Sequence, residues 1–160
     1  MVTEILQDAF FAAIAAIGFA AISRPPRRAY LWCALIAAMG HSVRFVLMNP
    51  ALGDTNIIIA SFVAALLIGM LAVFISPVAK MPAETCFFPA LLPMIPGIYA
   101  YKCFGGLAMC LLSNGEREFD HYYYLFTSNG LTCGAIILGM VTGATLPVFI
   151  FKNISFQATR

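Results

Sequence analysis

The sequence predicts an all-α membrane protein of five transmembrane helices. The fourth is broken by proline and glycine, the N-terminus is outside and the C-terminus inside. Three observations carry this reading. Of the 160 residues 62% are hydrophobic and 10% charged, with a mean hydropathy of +0.92, whereas soluble domains are about 45–50% apolar and about 25% charged. A soluble fold of this size cannot bury so much apolar surface, so its solvent is lipid. Apolar runs of about 20 residues, enough to cross a bilayer, recur along the chain. Basic residues also concentrate in alternate loops, as they do on the cytoplasmic side of membrane proteins.

The chain reads as one integral membrane domain, residues 1–160. The first span, 5–22, ends at "SRPPRRA", where Pro25 and Pro26 stop a helix. Glu4 and Asp8 stand where a signal peptide would be basic, so this segment is expected to remain as a span. The second, 30–48, stops at Asn49–Pro50, and the third, 56–76, is expected to close at Pro77. The fourth, 86–112, contains Pro89, Pro93, Pro96 and Gly97, and reads either as a broken span or as a re-entrant pair of half-helices. The fifth, within 122–151, is long enough to tilt or to begin before the hydrocarbon.

Alternate loops then fall on opposite sides. Arg24, Arg27, Arg28, Lys80, Lys152 and Arg160 share the inner side, while Glu4, Asp8, Asp54, Glu116, Glu118 and Asp120 share the outer side with Arg117. Tyr30 and Trp32 at the inner end of the second span, and Tyr122–Tyr124 at the outer end of the fifth, fit interfacial aromatic belts. The net charge of +2 carries no signature of nucleic-acid binding. Cys33, Cys86, Cys103, Cys110 and Cys133 have neither CxxC spacing nor histidine partners, so packing is expected rather than metal or disulfide. No metal, cofactor or catalytic residue is expected.

Lipid gives helices no hydrophobic reason to associate, so small residues that admit close backbone approach matter. Ala12, Ala16 and Ala20 recur along the first span, and the fifth carries Gly130/Gly134 and Gly139/Gly143. At about 100° per residue the second glycine pair lies nearly opposite the first, so one helix can meet different neighbours at its two ends. Either pair serves a compact bundle or a homo-oligomer interface.

Few ionisable residues enter the spans. His41 and Arg44, in "GHSVRF", share a helix face. Arg44 either snorkels to the interface or meets a ligand, and His41 either bonds a neighbouring helix or lines a pathway. Lys102 follows the break, in "LPMIPGIYAYK", and either snorkels to the outer interface or meets a ligand. The expectation is that no Asp or Glu is embedded, so the embedded charge is positive and suits a carboxylate. A helix restarting after Gly97 would aim its N-terminal amides at the break, which favours anions. Freed backbone there also needs a polar partner, more plausibly "GHSVR" than Lys102. Asn129, in "TSNG", adds hydrogen-bonding capacity. The substrate-binding candidates are therefore His41, Arg44, Pro93, Pro96, Gly97, Asn129 and Lys102.

The segments "LWCALIAAMGHSVRFVLM", "PMIPGIYAY" and "SNGLT" resemble, in this order and over nearly the whole chain, the YjjB-type small subunit of the threonine/serine exporter (ThrE) family. The resemblance implies an exporter of small carboxylate-bearing metabolites in the bacterial inner membrane. Its single-chain members are linked with threonine and serine, and its split members, paired with a larger YjjP-like chain, with succinate. It implies a YjjP-like partner and no enzymatic activity. Lys102 departs from the family pattern, which has a small polar residue there, and so ranks below His41 and Arg44. Without an embedded acid to meet an ammonium group, succinate is preferred to an amino acid. No Walker motif appears, so transport is not driven by ATP hydrolysis on this chain. Readings of other classes are a non-transporting scaffold subunit and, least supported, an intramembrane enzyme. A five-span partner of opposite orientation would complete an inverted-repeat architecture.

Reporter fusions are expected to place the N-terminus in the periplasm and the C-terminus in the cytoplasm. Both termini on one side would refute the five-span topology.

Overall fold

A computed structural model describes residues 2–155, and among them all regular structure is helical. The helices are α1 (Val2–Ser23), α2 (Ala29–Met48), α3 (Ile57–Ala79), α4 (Ala83–Leu91), α5 (Gly97–Leu112), α6 (Glu116–Ile150) and α7 (Lys152–Ser155). A 3-10 turn, Leu92–Met94, extends α4. Helices α1, α2, α3 and α6 are each long and apolar enough to cross a membrane, and Ala83–Met94 with Gly97–Leu112 makes a fifth span if the broken pair counts as one. Arg160, counted above among the inner-side charges, lies outside the described residues.

The helix ends follow from local chemistry. Arg24 adopts a left-handed φ of 48° directly after α1, and Pro25 disfavours helical backbone in the residue before it. Asn49 ends α2 and its side-chain oxygen accepts the Ala51 amide at 2.9 Å. The Asn56 side chain caps α3 through the Ile58 amide, also at 2.9 Å. Pro77 does not close this helix, contrary to expectation. It sits inside α3, which runs on to Ala79 and ends at Lys80 in the left-handed conformation. Proline withholds one donor, but the end is tied down locally: the Ser76 carbonyl accepts the Met81 amide, and the Ser76 hydroxyl donates to the Met81 carbonyl at 2.7 Å. Helix α6 begins six residues before Tyr122, because Glu116 and Glu118 in its first turn complement the positive end of the helix dipole.

The chain divides into two compact units. The larger holds α1–α4, the 3-10 turn and the chain from Gly139 onward; the smaller, Ile95–Leu138, holds α5 and the first part of α6. In the larger unit α2 packs against α1, α3 and α4. The alanine row of α1 is its seam: Ala12, Ala16 and Ala20 are buried on a helix whose other faces expose Phe10, Phe11 and Ile14. Ile36, Ile68, Val73 and Met94 fill the centre. Four of the five cysteines are buried, as packing residues should be.

The two glycine pairs of α6 meet different neighbours. A Cβ on Gly143 would lie 2.7 Å from the Phe62 carbonyl oxygen of α3, and one on Gly139 would touch Phe62. In the smaller unit a Cβ on Gly130 would lie 3.0 Å from Cys103 Sγ of α5, while Gly134 faces open space. Two close approaches were not anticipated. Gly69 of α3 abuts the Ala144 backbone, and a Cβ on Gly106 of α5 would lie 2.8 Å from the Phe126 amide nitrogen. Backbone cannot yield as a side chain can, so these glycines set how near the helices come.

Gly69→Leu or Gly143→Leu is expected to destabilise the protein by about 1–3 kcal/mol, read from unfolding in detergent. Gly134→Ala should be neutral or stabilising, since alanine favours a helix by up to about 1 kcal/mol.

Candidate functional site

One concentration of polar side chains among the helices lies in the larger unit. A cleft of about 430 Å³ is lined by Asp8 of α1, by His41, Arg44, Phe45 and Met48 of α2, and by Asn49 and Pro50. Small-molecule sites usually occupy about 300–1,000 Å³. The cleft exists because of the α1 seam: the alanines bring α1 against α2, and Asp8 stands one step further along the same every-fourth-residue row.

Asp8 Oδ2 lies 2.7 Å from His41 Nδ1. A carboxylate only accepts, so Nδ1 carries the proton and donates it. Both side chains are largely covered, at 27% and 19% exposure for Asp8 and His41. The expectation of no embedded acid is therefore wrong. Asp8 lies inside α1, not in the outer loop, and faces His41 across the helix pair. His41 does bond a neighbouring helix, and the bond is to a carboxylate. Behind this pair, a Cβ on Gly40 would run into Ile68 of α3. The Gly-His step thus holds α2 close to α3 on one side and presents His41 on another.

Three residues along the same face, the Arg44 guanidinium donates from Nη1 to the Met94 carbonyl at 3.0 Å. Met94 is fully buried and closes the 3-10 turn at the break. The structure thus joins "GHSVR" to the interrupted helix, as the need of freed backbone for a polar partner requires. Arg44 both lines the cleft and ties down the edge of the break.

The break itself is a proline device. Pro96 has φ −78° and ψ 61°, and the Gly97 amide donates to the Ile95 carbonyl at 2.8 Å. This is an inverse γ-turn centred on Pro96. Gly97 opens α5 with no left-handed φ, and a Cβ there would meet nothing within 4 Å. The amide of Tyr99 bonds the Pro96 carbonyl at 3.1 Å. With the Gly97 and Tyr99 amides engaged, the start of α5 offers an anion fewer donors than the sequence suggests. Pro93 lies within the 3-10 turn.

The remaining candidates sit elsewhere. Lys102 and Asn129 line a separate cleft of about 450 Å³ in the smaller unit. The Asn129 amide turns back to the Leu125 carbonyl of its own helix at 2.7 Å. The residue that sequence reasoning missed is Asp8. Its place in the row that continues through Ala12, Ala16 and Ala20 was the available signal.

A family model described as "Threonine/Serine exporter, ThrE" matches residues 8–150. A curated relative from Haemophilus influenzae, described as an uncharacterized protein, is 32% identical over 151 residues, 92% of this chain and 48% of the relative. The chain thus spans about half the length of that relative. No solved structure matches it.

Unfolding of Asp8→Asn, His41→Gln and the double variant in detergent should give a coupling on the order of 1 kcal/mol. Strictly additive effects would mean that the two side chains do not act as a pair.

Proposed function

Because the chain belongs to the threonine/serine exporter (ThrE) family, we propose that it is one part of a secondary exporter of small carboxylate-bearing metabolites in the bacterial inner membrane, with no enzymatic activity of its own. The observation that carries this reading is the cleft in which Asp8, His41 and Arg44 meet. An arginine fork recognises a carboxylate. Its position beside a helix break is one that transporters use for substrate sites. The multi-pass helical architecture supports the same reading.

Asp8 changes the choice of substrate. The preference for succinate rested on the lack of an embedded acid to meet an ammonium group. With Asp8 and Arg44 lining one cleft, both charges of a zwitterion have a partner of opposite sign. The favoured substrate is therefore an amino acid of the threonine/serine kind. Succinate export is the second reading. It is favoured by His41, which, when protonated, neutralises Asp8 and leaves the cleft cationic.

The Haemophilus influenzae relative carries about as much chain again as it shares with this one. We take the complete exporter to need a second membrane module, supplied here by a YjjP-like chain. Two modules of opposite orientation would place a pathway between them.

Efflux of labelled threonine, serine and succinate from cells expressing this chain with a YjjP-like chain tests the proposal. Export should require both chains. Arg44→Ala should slow efflux on the order of 10- to 100-fold, the worth of a hydrogen-bonded charge. Asp8→Asn should impair amino-acid efflux more than succinate efflux. Unchanged efflux in Arg44→Ala and His41→Ala, at normal membrane levels, would instead identify a scaffold subunit.

A further inference from the structure

We propose that the cleft around Lys102 is the docking site for a transmembrane helix of the companion module, and that this helix carries an Asp or Glu opposite Lys102. The inference rests on the two-module reading above. It starts from a lysine in the wrong place. Lys102 is exposed in the first half of α5, among side chains that are open and apolar: Ile98 is 71% exposed, Tyr101 79% and Phe104 71%. Among the described residues it makes no hydrogen bond or ion pair. Ionisable side chains within membrane helices face a bundle interior or a water-filled cavity, and pair there. Lipid suits the apolar side chains of this surface but offers the Lys102 ammonium no partner.

The shape of the cleft suits a helix. Its floor is Gly106, whose lack of a side chain lets α5 lie directly on the backbone of α6 at Phe126. Beside it Gly105 is exposed and would meet nothing within 4 Å even with a Cβ, so an incoming backbone can approach closely. Such small-residue surfaces are where membrane helices associate. On the opposite wall, Asn129 spends its amide on its own helix and, among the described residues, its Oδ1 accepts no hydrogen bond, leaving an acceptor for a polar group across the interface.

Charge decides the occupant. Lys102 calls for a carboxylate at similar depth. A second copy of this chain offers none on an open helix face: Glu4, Glu84, Glu116, Glu118 and Asp120 stand in the first two turns of their helices and Asp54 in a loop, while Asp8 is largely covered inside the cleft of the larger unit. The companion module is the remaining source of an apolar helix with an embedded acid.

The test is co-purification of this chain with a tagged YjjP-like chain in mild detergent, with efflux measured in parallel. Lys102→Glu and Lys102→Met should each lower the co-purified companion at least tenfold. Gly105→Phe, which fills the cleft without touching charge, should do the same and decides the matter should Lys102→Glu fail to accumulate. Replacing the matching acid of the companion by Lys should restore assembly of Lys102→Glu. Arg44→Ala should lose efflux yet keep the companion, which separates this interface from the substrate cleft. Wild-type co-purification in the Lys102 and Gly105 variants would overturn the proposal. If efflux also persists, the surface faces lipid. If efflux alone falls, Lys102 belongs to a ligand site.

Discussion

A carbonyl released from a helix inside hydrocarbon has no water to turn to, so whatever interrupts the helix must also supply its partner. Much of this molecule is arranged around that demand. The turn at Pro96 stops α4 and its 3-10 extension from running on as a single rod, and Arg44 reaches from α2 to the Met94 carbonyl at the edge of the gap. The same face of α2 carries His41, one turn earlier, against the Asp8 carboxylate of α1. The lining of the cleft and the repair of the break therefore share one side chain. A change at Arg44 acts on the break as well as on the cleft.

Close approach makes this arrangement possible. Ala12, Ala16 and Ala20 are buried on α1, Gly40 keeps α2 near Ile68 of α3, and Gly69 and Gly143 bring α3 against the last part of α6. With no hydrophobic force between helices in lipid, such contacts supply dispersion and place polar groups within hydrogen-bonding range. The Asp8–His41 bond is an example: it lies at the end of the row that holds the two helices together.

Much of the architecture was legible in the sequence, because lipid imposes long apolar runs and confines charge to their ends. The α1 stop at the Pro25–Pro26 pair and the α3 start at Asn56 follow from local chemistry and stand as expected. Pro77 misled because a proline near a helix end loses one bond and no more, and Ser76 makes good the end of the turn. Arg44 and the proline break were legible separately, and their union follows from the need of freed backbone for a donor. Asp8 was hidden by its nearness to the N-terminus, which made it look like a loop acid. Gly69 and Gly106 carry no GxxxG partner and so gave no pattern to read. Gly97 drew notice as a helix breaker, yet Pro96 makes the turn and Gly97 merely begins the next helix.

The Asp8–His41 bond has a consequence for how the protein enters the membrane. Helix α1 leaves the ribosome before α2, carrying a carboxylate in its second turn whose partner lies 33 residues later. Alone in the bilayer that acid is uncompensated, at up to about 3 kcal/mol on insertion scales. Once α2 follows, the imidazole meets it and the alanine row closes. Helices α1 and α2 thus have a physical reason to partition together as a hairpin, so a residue lining the cleft bears on membrane insertion as well.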